Sequence, residues 1–151
     1  MNRLVNNEIL GLLALQTALA NAERQSLQMS KAFLVLPLLF NARIRSALKR
    51  KNSAVIGVSD LIATIPSFVI SFNARFSNLL CVSLNTVIVA HEVGMVDLHD
   101  QEISLLRPAF VKTDAKTLGK IGADIHLCGP RLKLLLNENS ADLYRKLGIQ
   151  L

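Results

Sequence analysis

VSDLIATIPSFVISFNARFSNLLCVSLNTVIVAHEVGMVDLHDQEISLLR, from Val58 to Arg107, sets the expected architecture of this chain. A short helix opens at Ser59. A longer one runs from about Ser67 to Leu80, because Phe68, Ile70 (offset by one), Phe72, Phe76, Leu79 and Leu80 recur at roughly helical period. A turn near Cys81–Ser83 leads into a third helix, Leu84 to His91, with Leu84, Val87 and Ile88 on one face. Ser83 is placed to cap it by accepting an otherwise unpaired N–H, and Gly94 stands where it must stop. Met95–Leu98 and Ile103–Leu106 then read as the strands of a hairpin with His99-Asp100-Gln101-Glu102 at its tip. Helix, turn, helix, hairpin is the order of a winged helix.

That order often serves DNA, but the charges oppose it here. The segment Leu84–His91 carries no Lys or Arg. The hairpin is acidic, with Glu92, Asp97, Asp100 and Glu102 between Arg75 and Arg107 and no basic residue among them. Phosphate contacts supply most nonspecific DNA affinity and require cations. A winged helix used for protein contact is the better expectation. A solvated hairpin with no partner is the plain alternative.

The 151 residues suffice for one domain with one core, residues 1–151. Apolar residues make up 51% of them, and the mean hydropathy is +0.38. A domain of this size cannot hide so much apolar surface alone. No apolar run approaches the roughly 20 residues of a spanning helix; the longest, Ala32–Phe40, contains Pro37. Glu8 interrupts the start, so no signal peptide is expected. A cytoplasmic subunit with large apolar interfaces is the expectation. Ile9, Leu13, Phe33, Leu36, Phe40, Leu143, Tyr144 and Leu147 are its apolar candidates, shared between core and partner contact.

The net charge of +6 is unevenly spread. Arg24, Lys31, Arg43, Arg45, Lys49, Arg50 and Lys51 precede Ser59 without an intervening acid. Arg43, Arg45, Lys49, Arg50 and Lys51 are expected on one exposed side, facing an acidic partner or DNA held by a complex. The competing reading is a solvated helix end whose cations offset the helix dipole. Cys81 and Cys128 have no CxxC partner and are expected as reduced core thiols.

The remaining elements are helical. Asn6 or Asn7 is placed to cap a first helix that is apolar nearly all round, with Gly11 admitting a close neighbour. Ser30 is placed to cap a second, bent by Pro37 and ending in Lys49-Arg50-Lys51. Lys112 to Cys128 reads as an amphipathic helix with Thr113 as its cap, Gly119 and Gly122 allowing close approach, and Gly129-Pro130 as a stop. Leu132–Leu135 fits a short helix or an extended segment equally. A last helix starts at Asn139 or Ser140 and closes at Gly148.

Catalytic patterns are missing. His91-Glu92 starts a zinc-protease motif, but Met95 stands where the second His belongs. Asp97, His99 and Asp100 make a weak metal candidate, with polar turn residues as the simpler reading. No phosphate-binding glycine loop or GxSxG occurs. His126 and Cys128 make no convincing catalytic pair. No enzymatic activity, cofactor or metal is expected.

Taken in order, Asn7-Glu8-Ile9-Leu10-Gly11, Phe33-Leu34-Val35-Leu36-Pro37-Leu38-Leu39-Phe40, Ile44-Arg45, Phe68…Phe72…Arg75-Phe76, Leu118-Gly119-Lys120 and Leu143-Tyr144-Arg145-Lys146-Leu147-Gly148-Ile149 resemble the small middle component of three-component ABC-ATPase systems. The small subunit of Lamassu-type anti-phage defence complexes is among its relatives. The resemblance covers nearly the whole chain. It departs from the family pattern at Glu8, where Pro often stands, and at Ile121-Gly122-Ala123, which lacks an aromatic. It implies a non-catalytic adaptor between an SMC/Rad50-like ATPase and an effector subunit, often a nuclease. A standalone winged-helix DNA-binding regulator is the alternative.

Overall fold

The computed structural model describes residues 3–111 and 114–150, with side chains described from Glu8 onward except at 112, 113 and 151. The chain is mainly α-helical with a small antiparallel sheet. Its helices are α1 (Arg3–Asn21), α2 (Met29–Leu39), α3 (Ala42–Leu48), α4 (Val58–Thr64), α5 (Phe68–Glu92), α6 (Asp114–Thr117), α7 (Gly119–Leu127), α8 (Gly129–Leu136) and α9 (Ser140–Lys146). The strands are β1 (Ser26–Gln28), β2 (Val96–His99) and β3 (Glu102–Leu105), in the order β1-β3-β2.

The hairpin forms where the sequence places it. Val96 pairs with Leu105 and His99 with Glu102, around a tip whose Asp100 has φ +55°. Gly94, at φ +78°, makes the reversal after α5, a conformation that glycine adopts without steric cost. β1 was not expected. Three residues, Ser26, Leu27 and Gln28, pair with Ser104, Ile103 and Glu102. Arg24 and Gln25 deliver them from a 3-10 turn with positive φ. A three-residue strand has too little alternation to announce itself.

The turn expected at Cys81–Ser83 does not exist: α5 is a single helix of 25 residues. No Gly or Pro interrupts Phe68–Glu92, and the apolar register continues through Phe72, Phe76, Ser83, Val87 and Ala90. Ser83 is therefore a buried mid-helix residue whose Oγ finds no partner, rather than a cap. Of the three helices expected before the hairpin two are found, α4 and α5, which meet at 117° across Ile65–Ser67. No single helix among the described residues is long and apolar enough to cross a membrane.

The expected second helix divides in two. Pro37 lies inside α2, and the chain breaks after Phe40. Asn41 then caps α3, its Oδ1 accepting from the N–H groups of Arg43 (2.9 Å) and Ile44 (3.3 Å). Neither Ser30 nor an Asn6 or Asn7 cap is found, since α2 begins at Met29 and α1 already at Arg3. The Thr113 cap lies outside the described residues. The amphipathic segment breaks at Gly119 (φ +85°) into α6 and α7. Gly129-Pro130 opens α8 rather than stopping the chain, because Pro costs nothing in a first turn. Leu132–Leu135 is thus helical. Asn139 caps α9 by accepting from Ala141 and Asp142.

The core lies where α1 meets α2, α5, α7 and α8. Leu15, Leu19, Leu34, Leu38, Leu39, Ile44 and Phe72 are fully buried there. Gly11 does admit a close neighbour: a Cβ added there would lie 2.9 Å from Thr86 Oγ1 of α5. Glu138 ties the C-terminal part to α4, one oxygen accepting from Val58 N–H (2.8 Å) and the other from Lys146 Nζ (2.7 Å).

Candidate interaction surface

An open groove of about 810 Å³ lies between the start of α2, the middle of α5, the start of α9 and the sheet. Met29 and Phe33 form one wall, Phe76 and Leu80 the second, and Ala141 and Tyr144 the third, with Gln28 and Glu102 at the sheet end. These residues come from four separate parts of the sequence. The Met29 N–H donates to the Gln101 carbonyl (2.7 Å), fixing the hairpin tip against α2. The Ser30 and Ser140 hydroxyls bond to each other at 2.7 Å. Tyr144 packs edge-on against Phe76, centroids 5.6 Å apart. Burial pushes the Tyr144 phenol above its ordinary pKa, so it stays protonated and donates.

The apolar candidates separate into two groups. Leu36 (1% exposed), Leu143 (1%) and Leu147 (0%) are core residues and offer no surface to a partner, and Leu13 joins them. Phe33 and Tyr144 remain half-exposed and meet in the groove. Phe40 is half-buried against the core and lies outside it. Leu80, 39% exposed, completes the groove beside Phe76, which at 3% exposed belongs to the core. Both sit on α5, which also exposes Ile70, Leu84 and Ile88, so apolar periodicity alone does not mark Phe76 as core and Leu80 as surface.

The basic candidates also divide. Arg43, Arg50 and Lys51 are exposed. Arg45 turns inward and donates to the Leu39 carbonyl at the end of α2 (2.9 Å), where a cation also meets the negative pole of the helix. Lys49 pairs with Asp124 of α7 at 3.3 Å. Arg43 and Arg50 border one shallow cleft of about 430 Å³ beside Pro66. Lys49, Arg50 and Lys51 border another of about 460 Å³ with His126 and Arg131. Arg131 is a basic contributor the sequence did not suggest. Its guanidinium donates to the carbonyls of Lys51 (2.9 Å) and Val55 (3.3 Å), holding the turn after α3.

Among the described residues no three His, Cys, Asp or Glu side chains converge as metal ligands, so Asp97, His99 and Asp100 are hairpin polar residues. His99 and Asp100 approach at 3.4 Å in full solvent. The Cys128 thiol is buried and pushed up to about 12, chiefly by burial, which holds it protonated near neutral pH. Cys81, expected in the core, is exposed on α5 because the continuous helix turns it outward.

A helical domain with an open apolar groove on one side and a cationic ridge on another has the surfaces of an interaction subunit. The family description for ABC-three component system middle component 3 matches residues 4–149, and the chain belongs to that family. It is therefore a middle component of an ABC-three component system. No curated protein and no solved structure matches it.

Proposed function

We propose that this chain is a non-catalytic adaptor that joins an SMC/Rad50-like ABC ATPase to an effector subunit, often a nuclease, in a cytoplasmic Lamassu-type anti-phage or anti-plasmid defence complex. The observation that carries the reading is the groove walled by Phe33, Phe76, Leu80 and Tyr144. Phe33 and Tyr144 are half-buried aromatics already held by their neighbours, and such residues dock a partner at small entropic cost and dominate interface energies. The membership in a middle-component family supplies the kind of partner. The ridge of Arg43, Arg50 and Lys51 gives a second, polar surface on a different part of the fold, suited to an acidic partner or to DNA held by the complex. A standalone winged-helix DNA regulator would need cations on the hairpin, where Asp97, Asp100 and Glu102 stand exposed.

Copurification with the ATPase and effector subunits encoded beside it tests the proposal. Phe33→Asp and Tyr144→Asp are expected to release one of the two partners while leaving the helical spectrum intact. Retention of both partners by both variants would falsify the groove as the docking site.

A further inference from the structure

We infer that the outer face of α5 is a self-association surface through which two copies of this chain pair antiparallel. Ile70, Ala74, Ser77, Cys81, Leu84 and Ile88 are all exposed and follow one another at alternating steps of four and three. That is the spacing of a coiled-coil seam. It lies opposite the buried face formed by Phe68, Phe72, Phe76, Ser83, Val87 and Ala90. Ile70 is 88% exposed, Leu84 48% and Ile88 45%, far more than α5 needs to hold its own fold. No charged side chain interrupts the helix between Arg75 and Glu92, so burying the face strands no charge.

The order of side-chain sizes selects the occupant and the direction. When one helix is reversed, the two apolar positions of the repeat exchange, and each meets the other kind. Ser77 then faces Ile88 of the second copy, Cys81 faces Leu84, and Ala74 faces His91. Each of these layers, from Ala74 to His91, sets a small side chain against a larger one, in both directions at once, as a two-fold contact requires, and Ile70 lies beyond the end of the other copy's α5. A parallel pair would set Ser77 on Ser77 and Ile88 on Ile88, alternating voids with crowding. In the reversed pair the Arg75 of one copy comes within two residues of the level of the other copy's Glu92, roughly 3 Å along the axis. They lie on the same flank of the seam, so the charges bounding the apolar stretch are complementary. From Ala74 to His91 the paired seam is roughly 25 Å long, which puts the contact toward the small end of stable interfaces and makes it concentration-dependent. This pairing does not depend on the groove, and variants of Phe33 and Tyr144 leave it unchanged.

Sedimentation equilibrium on the full chain, without its ATPase partner, tests the pairing. The expected mass is twice the 16.6 kDa of the monomer, and Ile88→Glu weakens association by roughly ten-fold or more, as loss of a central contact does. A short bis-maleimide links the two Cys81 thiols, and Cys81→Ser abolishes the link. Ser77→Ile and Ile88→Ser each weaken the dimer, and the double variant, which exchanges the two sizes, restores it. All three positions, Ser77, Cys81 and Ile88, are solvent-exposed, so the circular dichroism of every variant matches the parent. A monomer up to tens of micromolar overturns the inference. So does a dimer indifferent to Ile88→Glu, or a double variant no better than its singles. Cys81 that becomes shielded only when the ATPase subunit is added assigns the face to that partner and overturns it equally.

Discussion

The phenol of Tyr144 donates to the main-chain carbonyl of Ser30 across 2.7 Å. That bond joins the last helix to the second across 114 residues of sequence. It also fixes the ring edge-on against Phe76 and so gives the groove its third wall. A docking surface made of three helices is only as rigid as such cross-links, because interface affinity falls when side chains must be ordered on binding.

Tyr144→Phe is expected to keep the ring and lose the bond. The Ser30 carbonyl is left without this donor, at a stability cost of about 1 kcal/mol. Urea unfolding measures that loss, and copurification measures the separate, smaller loss of partner binding. A variant as stable as the parent would show the bond to be exchanged freely for water.

Asn41→Ala should cost about 1 kcal/mol by removing the acceptor for the Arg43 and Ile44 N–H groups. Asn41→Ser, which keeps an acceptor, should recover most of it. Equal destabilisation by both substitutions would point to packing of the Asn41 side chain instead.

Gly11→Ala places a methyl 2.9 Å from Thr86 Oγ1 and forces α1 and α5 apart, at roughly 1–3 kcal/mol. Thr86 is buried and its hydroxyl donates to the Val82 carbonyl at 2.7 Å, so it cannot step aside. Gly11→Ala combined with Thr86→Ala should be more stable than the sum of the single losses. Strict additivity of the two would place the clash elsewhere.

Reversal of charge at Arg43, Arg50 and Lys51 should weaken binding to an acidic partner or to DNA within the complex and flatten its salt dependence, with little effect on folding. Lys49→Glu belongs to a different class, because it also breaks the pair with Asp124 and sets like charges together. Thermal melts separate the two: only the Lys49 variant should lower the midpoint. Assembly and DNA retention unchanged by all three exposed reversals would leave the ridge as ordinary solvated surface.

Alkaline pH should destabilise the fold. Cys128 is raised from 9.0 to about 12 and Tyr144 is raised from 10.0, both by burial. The native chain therefore holds these protons more tightly than the unfolded one. Their stabilising effect is complete below about pH 9 and is lost progressively as the pH rises from there toward 12. Unfolding midpoints in urea across that range measure the slope. At pH 8 a maleimide should modify Cys81 well before Cys128, which reacts only on unfolding.

Read alone, the sequence determined a mainly helical chain with the hairpin around Asp100, the close approach at Gly11, the helix capped near Asn139 and the family to which the chain belongs. Each of these depends on local chemistry or on the order of apolar segments. Gly94 fixes a reversal, two short alternating runs pair across a turn, and Asn or Gly marks an end because its side chain or its freedom in φ acts on the nearest few residues. Tertiary structure decided everything that depends on which of several apolar faces points inward. It kept α5 whole through Cys81–Ser83, because packing of Phe76, Val87 and Ala90 along one line outweighs weak helix propensities in a run of Val, Ser and Asn. It sent Leu36, Leu143 and Leu147 into the core while leaving Phe33 and Tyr144 at the groove. It also turned Arg45 and Lys49 toward α2 and α7, away from the ridge of Arg43, Arg50 and Lys51. Where more than half of the residues are apolar, the pattern of hydrophobic positions no longer separates core from surface. Only the packing of one helix against the next makes that choice.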